Sequence, residues 1–220
     1  MKTELITNVS HDLKTPLTAI ITYVNLLKEE NITEEERKSY VDTLDRKSTR
    51  LKQLIEDLFE VSKANSHNVT LHPVEVDLGS LIKQVSLELE DKIMESMIEF
   101  RYQIPDEKII LQLDSEKTFR IIENLMVNIT KYAMPHSRAY IELRKEAGCA
   151  IIIMKNISAT ELDFDNEQIT ERFVRGDKSR SSDGSGLGLA IVKSFTELQG
   201  GSFEIITDGD LFKAVITFCY

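Results

Sequence analysis

His11 lies near the start of the chain, and the residues around it are of types that could support a reaction at its imidazole ring. The run Ser10–Leu17 reads SHDLKTPL inside a segment with helical spacing of its apolar residues. On a helical wheel His11 lies roughly opposite the apolar sector, and Thr15 follows one turn later on the same side. A largely neutral imidazole at pH 7 offers one ring nitrogen as a nucleophile. The apolar sector contains Leu5, Val9, Leu13, Leu17, Ile20, Val24 and Leu27.

Two neighbours strengthen this interpretation. Pro16 lies within the helical pattern, where proline costs about 3 kcal/mol and bends or loosens the turn. Asp12 adjoins the histidine and can orient the imidazole or accept its proton. A lone exposed histidine is usually a solvated surface residue, but the complete run favours a functional one.

A second polar cluster lies on the segment of about 115–133, which we predict to be a helix. Asn124, Asn128 and Lys131 share one face of it, and Tyr132 lies at the edge of that face. Carboxamide oxygens and an ammonium group can hold hydrated Mg²⁺ and neutralise phosphate oxygens. The alternative is an ordinary polar outer face.

Glycines precede another predicted helix, at about 186–199. Glycines at a helix start leave backbone N–H groups open to an anion. Because a polar, charged loop and not a strand comes before them, a dinucleotide fingerprint is disfavoured. The run is Gly184-Ser185-Gly186-Leu187-Gly188.

The amino-acid composition argues against several classes of protein. The chain has 220 residues, with 27 Lys and Arg against 37 Asp and Glu, so its formal charge is −10. A general nucleic-acid binder needs a basic face, so we expect no nucleic-acid partner. Two cysteines, Cys149 and Cys219, are too few for a disulfide scaffold or a cysteine-bound structural zinc. No apolar run spans a membrane and no signal peptide leads the chain, so we expect a reducing, cytosolic fragment without direct membrane contact.

Two long helices must position the histidine. We predict them at residues 2 to about 30 and about 34 to 65, with Thr33 and Glu36 as a capping box between them. A hairpin cannot cover both of its apolar stripes alone, so a second copy completing a four-helix bundle is the simplest solution. The alternative is an arm packed on its own domain. The heptad seam of the second helix is Tyr40, Leu44, Lys47, Leu51, Leu54, Leu58 and Val61.

The rest of the chain alternates helices and strands. We predict an α+β protein: a dimeric helical hairpin at 1–66, a linker at 67–76 and a two-layer α/β sandwich at 77–220. Helices are expected near 78–95, 115–133 and 186–199. Strands are expected near 97–104, 108–113, 138–144, 149–156, 202–207 and 211–219.

With these motifs in order, the chain resembles the catalytic core of a bacterial two-component sensor histidine kinase. SHDLKTPL resembles the phospho-acceptor signature of that family. The resemblance implies that His11 is phosphorylated, that Asp12 assists the transfer, and that Thr15 positions water when the enzyme dephosphorylates its partner.

The run from Asn124 to Tyr132 resembles the asparagine box of the same family and of the wider gyrase-like ATPases. The resemblance implies that Asn128 binds Mg²⁺, Lys131 meets phosphate, Tyr132 packs near adenine and Asn124 gives a supporting contact. The glycine run resembles the glycine box of the family, which closes a mobile lid over the triphosphate. Glu171-Arg172-Phe173, with Arg175 and Arg180 beyond, resembles the phenylalanine box and that lid. The binding residues that this implies are Arg175, Arg180, Gly184, Gly186, Leu187 and Gly188; the alternative for the two arginines is that they are solvated surface residues.

One position departs from the family pattern. The family places an aspartate followed by glycines after the strand near 150–156, and that carboxylate receives the adenine amino group. This chain has Asn156, with no glycine after it. A carboxamide accepts a hydrogen bond without charge, so we expect the contact to weaken by about 1 kcal/mol or somewhat more.

The resemblance implies an ATP- and Mg²⁺-dependent protein-histidine kinase. It acts as a homodimer and passes phosphate to an aspartate of a response-regulator receiver domain, with phosphatase activity toward that regulator as a further expectation. It also implies a full-length protein anchored in the membrane. Two alternatives remain: a dimeric scaffold with weak or no ATP turnover because of Asn156, and a gyrase-like ATPase without phosphohistidine, which leaves the His11 run unexplained.

Overall fold

A computed structural model describes residues 2–29, 31–65, 70–162 and 187–219. The chain divides into two compact units, Met1–Ser62 and Lys63–Tyr220. The helices are α1 (Lys2–Leu26), α2 (Glu34–Asn65), α3 (Leu78–Glu88), α4 (Glu90–Glu95), α5 (Ser115–Tyr132) and α6 (Gly188–Leu198). The strands are β1 (Pro73–Asp77), β2 (Glu99–Gln103), β3 (Ile110–Asp114), β4 (Arg138–Glu146), β5 (Cys149–Ile157), β6 (Ser202–Asp208) and β7 (Leu211–Cys219).

The first unit is the predicted helical hairpin. The capping box forms as expected: the Thr33 N–H donates to Glu36 Oε2 at 2.9 Å, and the Glu36 N–H donates to Thr33 Oγ1 at 3.2 Å. These reciprocal bonds satisfy backbone donors that the first turn of α2 would leave open. Within the described part of the heptad seam, Leu54 is buried and the other members are half-buried.

Part of the apolar surface of the hairpin stays exposed. Leu17, Ile21 and Val24 on α1 follow each other at helical spacing and are 47%, 54% and 38% exposed. On α2, Phe59 is 61% exposed and Ile55 is also exposed. Leu17 and Val24 belong to the sector that the sequence predicted to be apolar, so the hairpin covers that sector incompletely.

The second unit is the predicted two-layer sandwich. Its five-stranded sheet has the order β2-β4-β5-β7-β6, in which β2 runs parallel to β4 and the other pairs are antiparallel. One face of β4 and β5 consists of almost fully buried side chains, and α3, α5 and α6 bury their apolar faces in the same unit. The buried sheet residues are Ala139, Ile141, Leu143, Ala150, Ile152, Met154 and Asn156.

Two expectations about the start of this unit were wrong. Residues 73–76 do not belong to a linker, because β1 pairs antiparallel with β3 in a separate two-stranded sheet. The helix expected at about 78–95 is two helices, since Leu89 between them has φ −101° and ψ 9° and is buried. A short strand pair and a break of this kind depend on long-range packing, which the periodicity of the sequence does not record.

Other boundaries agree with the sequence analysis. Gly200, with φ 77°, ends α6, and the Gly201 N–H donates to the Thr196 carbonyl oxygen at 2.9 Å, as expected for a glycine C-cap. Gly209 occupies the β6–β7 turn with φ 55°.

Within the described residues, none of the helices combines the length and apolar character needed to cross a membrane.

The two cysteines are paired, which the sequence analysis did not predict. Strand register places Cys149 opposite Cys219, and a disulfide joins them across β5 and β7. The pair lies at the end of β5 opposite from Asn156.

Candidate nucleotide site and phospho-acceptor helix

Helix α5 begins where the sequence predicted, because Asp114 caps it. Asp114 Oδ1 accepts a hydrogen bond from the Lys117 N–H at 3.0 Å, and the Asp114 carbonyl accepts one from Thr118 Oγ1 at 2.8 Å. The buried face of the helix includes Ile122, Met126 and Ile129. Burial of this stripe fixes the rotation of α5, so the opposite face presents the polar cluster.

The structure places the four predicted α5 residues along one side of the helix. Asn124, Asn128 and Tyr132 are half-buried, and Lys131 is exposed. To the residues that the structure describes, Asn128 makes no side-chain hydrogen bond, so its carboxamide oxygen can still accept a ligand. This is the kind of oxygen donor that Mg²⁺ takes.

Asn124 differs from Asn128 because it is held within the protein. Its Nδ2 donates to the Arg120 carbonyl at 2.7 Å. A methyl group at Gly188 would lie only 3.1 Å from Asn124 Oδ1, so the first residue of α6 packs closely on this side chain. Asn124 therefore positions the start of α6 against α5, which the sequence did not indicate.

The end of β5 meets the end of α5 through backbone hydrogen bonds. The Ala159 N–H donates to the Tyr132 carbonyl, and the Met134 N–H donates to the Ile157 carbonyl, both at 2.8 Å. Asn156, only 4% exposed, lies on the helix-covered face of β5 beside this junction. The fold thus brings Asn156 to the end of α5 that carries Lys131 and Tyr132.

Hydroxyl groups shape the turn after Asn156. Ser158 is buried; its Oγ accepts a hydrogen bond from the Thr160 N–H at 3.2 Å, and its N–H donates to the Asp210 carbonyl at 2.7 Å. No sequence motif indicated a role for these two residues in the turn. A serine two residues before a threonine, directly after a strand, is a usable signal for such a turn.

Of the glycine-rich segment, the structure describes only the last two residues, Leu187 and Gly188. Leu187 is buried, and Gly188 is the first residue of α6. Arg175, Arg180, Gly184 and Gly186 lie outside the described residues.

On the hairpin, residue 11 belongs to α1, and its side chain lies outside the described part of the structure. Asp12 is half-buried, Thr15 is exposed and Pro16 is buried inside the helix. Because proline lacks an N–H, Pro16 cannot donate the regular backbone hydrogen bond within α1. That Pro16 also loosens or bends the turn around the histidine stays a prediction.

A charged cluster occupies the sheet face opposite Asn156. Glu142 on β4 is 2% exposed and pairs with Lys155 at 2.5 Å and with Arg144. The hydrogen bond from Lys155 holds the pKa of the Glu142 carboxyl below its ordinary value of 4.5, against the opposing effect of burial. Lys155 directly precedes Asn156, so this cluster ties the end of β5 to β4.

The donor set suits a nucleoside triphosphate with Mg²⁺. Asn128 offers an oxygen for the metal ion, Lys131 a positive charge for phosphate, Tyr132 a ring, and Asn156 a buried polar group. These side chains lie on or beside one helix end, within one folded unit.

Comparison with known families agrees with this arrangement. Residues 1–67 match the His Kinase A (phospho-acceptor) domain. Residues 113–218 match the family described as histidine kinase-, DNA gyrase B-, and HSP90-like ATPase. The first match spans the hairpin unit and the second lies within the other unit, in the order expected from the motifs.

Curated relatives are similar over most of the chain. It is 32% identical over 206 residues to the sensor protein VanSC of Enterococcus gallinarum, covering 92% of this chain and 56% of that protein. It is 31% identical over 208 residues to the sensor histidine kinase YcbM of Bacillus subtilis, covering 91% and 66%. The chain thus spans about half to two thirds of the length of these relatives.

Solved structures share the fold. The histidine kinase AdeS of Acinetobacter baumannii matches with a TM-score of 0.72 at 16% identity, covering 95% of this chain and 97% of that one. The histidine kinase ThkA in complex with the response regulator protein TrrA matches with 0.73 at 19%, covering 98% and 61%. From the two family matches and the curated relatives, the chain belongs to the two-component sensor histidine kinases, as a catalytic core of that family.

Proposed function

We propose that the chain is an ATP-dependent protein-histidine kinase core that phosphorylates its own His11. The observation that carries this proposal is the meeting of α5 and β5, where Asn128, Lys131, Tyr132 and Asn156 gather at one helix end. The family match to a phospho-acceptor domain over residues 1–67 supports His11 as the acceptor.

The reaction is a transfer from oxygen to nitrogen. A ring nitrogen of His11 attacks the γ-phosphorus, the bond to the ADP oxygen breaks, and ADP leaves with the electron pair. Asp12 orients the imidazole and accepts the proton that the ring loses. Positioning and charge neutralisation supply most of the catalysis, since phosphoryl transfer needs little covalent help from the protein.

Different residues of the chain bind different parts of the nucleotide. Lys131 neutralises phosphate oxygens, Tyr132 packs near the base and Asn156 contacts its edge, with Asn124 supporting the start of α6. The glycine segment and its two arginines, Arg175 and Arg180, cover the triphosphate. Asn128 would hold Mg²⁺, which supplies positive charge beside the phosphates.

The proposed partners are a second copy and a receiver domain. The exposed apolar residues of α1 and α2 suit a second hairpin, which would complete a four-helix bundle. The phosphoryl group then passes to an aspartate of a response regulator, and Thr15 positions water when phosphate is removed from that regulator. ThkA, whose fold is similar, has been solved with a response regulator.

A second candidate is a dimeric scaffold with weak or no ATP turnover. The observation that favours it is the uncharged Asn156 where the family has an aspartate. On this reading the chain engages a regulator without forming phosphohistidine.

Labelling with γ-³²P-ATP and Mg²⁺ tests the proposal. Wild type should acquire acid-labile label, His11→Gln none, and Asn128→Ala at least tenfold less because a proposed metal ligand is lost. Label that persists in His11→Gln contradicts the proposal. Hydrolysis without label points to a gyrase-like ATPase, and failure to bind or label points to the scaffold.

A further inference from the structure

Asn156 is a buried polar side chain with unused hydrogen-bonding capacity. A carboxamide can donate two hydrogen bonds and accept two. Within the part of the chain that the structure describes, Asn156 makes one side-chain bond, from Nδ2 to the Ile157 carbonyl at 3.1 Å. One Nδ2 hydrogen and the Oδ1 lone pairs remain, although the residue is only 4% exposed.

The surroundings of Asn156 give it few partners inside the protein. Its register neighbours on β4 and β7 are Ala139 and Phe212, and Met154 precedes it on the same face of the sheet. All three are buried and apolar. Among the described residues this hydrogen-bonding capacity of Asn156 is unused, and its amide atoms are not among the buried atoms that lack a partner, so they can meet a bound ligand.

The inference rests on the proposed function. In that function the ligand atom that contacts Asn156 belongs to the nucleotide base. The junction with Tyr132 lies directly beside Asn156, and in the proposed site Tyr132 packs near the base. Purine bases differ at position 6. This position carries either an amino group, which donates a hydrogen bond, or an oxo group, which accepts one.

A carboxylate and a carboxamide read that position differently. An ionised aspartate only accepts, so it favours a 6-amino purine and repels a 6-oxo purine. A carboxamide offers Oδ1 to an amino group and an Nδ2 hydrogen to an oxo group. We propose that Asn156 lets this site take 6-oxo purine nucleoside triphosphates as well as ATP.

The sharpest comparison uses ATP and inosine triphosphate, which carry the same sugar and triphosphate and differ at the 6-position of the purine and at the adjoining N1, which carries a hydrogen only in the 6-oxo base. Calorimetric titration of the intact wild-type chain with each nucleotide and Mg²⁺ should give dissociation constants within about thirtyfold of each other. GTP should fall in the same range. In Asn156→Asp the ratio of the inosine triphosphate to the ATP constant should rise at least tenfold, because a carboxylate repels the oxo group.

Asn124→Asp is the matched control. It makes the same chemical change on α5, where the side chain contacts Arg120 and Gly188, so both dissociation constants should change by the same factor. Nucleotide-dependent labelling of His11 from γ-³²P-inosine triphosphate gives a second readout.

Two results would overturn the inference and spare the proposed function: a wild-type preference for ATP above thirtyfold, or the same ratio in wild type and in folded Asn156→Asp. If Asn156→Asp fails to fold, the wild-type ratio decides alone. If wild type binds none of the three nucleotides, the proposed function falls together with the inference.

Discussion

Glu142 couples the stability of the fold to pH. Its carboxylate is almost fully buried, and the ammonium of Lys155 and the guanidinium of Arg144 keep it ionised. A carboxyl whose pKa is lowered by folding stabilises the folded state above its unfolded pKa, here 4.5. That stability is lost as the pH falls through the lower, folded pKa.

Glu142→Gln should therefore destabilise the chain at pH 7 and progressively less below pH 4.5. We expect a loss of about 1–3 kcal/mol at pH 7, since one partner of a buried pair is removed while both cations keep contact with solvent. Urea unfolding from pH 7 to pH 3 measures it. Glu146→Gln is the control: Glu146 is exposed and pairs with the same Arg144 at 3.8 Å, so its effect should stay within about 0.5 kcal/mol. A constant difference at all pH values would contradict the assignment.

At the scale of elements, the corner between α6 and β6 depends on the absence of a side chain. A methyl group at Gly201 would lie 2.6 Å from Phe218 Cδ1 and 2.8 Å from the Thr217 carbonyl oxygen. Phe218 is 2% exposed and cannot move aside. The glycine thus lets β6 begin directly against β7.

Gly201→Ala should accordingly destabilise the nucleotide-binding unit by about 1–3 kcal/mol, the usual cost of overpacking. Thermal unfolding followed by circular dichroism should show the corresponding drop in Tm. Ser202→Ala, one residue further along β6, changes an exposed side chain and should leave Tm nearly unchanged. Equal Tm values for Gly201→Ala and wild type would show that the corner relaxes freely.

At the scale of the whole molecule, the apolar residues that the hairpin leaves exposed predict self-association. Phe59→Arg should raise the dimer dissociation constant at least tenfold, because the apolar burial gained on pairing is lost and a charge is introduced. Sedimentation at several concentrations measures the change.

Leu87→Arg provides the comparison for that experiment. Leu87 is 71% exposed but lies on α3 of the nucleotide-binding unit, so the same substitution there should leave the dissociation constant unchanged. Equal weakening by both variants, or a monomeric wild type, would count against a dimer formed through the hairpin.

Local features could be predicted from the amino-acid sequence. The capping box at Thr33 and Glu36, the cap at Asp114 and the polar face of α5 follow from residues three or four apart, whose geometry the helix fixes. The phospho-acceptor run and the asparagine box are likewise contiguous, so their order was sufficient to indicate the family.

Contacts between segments that are far apart in the chain could be identified only from the folded structure. The pairing of β1 with β3 turned part of the expected linker into a strand, and strand register joined Cys149 to Cys219. Packing of α6 on α5 placed Gly188 against Asn124, and the β5–α5 junction buried Asn156 beside Tyr132. None of these contacts has a sequence period, because each results from the burial of surfaces that lie tens of residues apart.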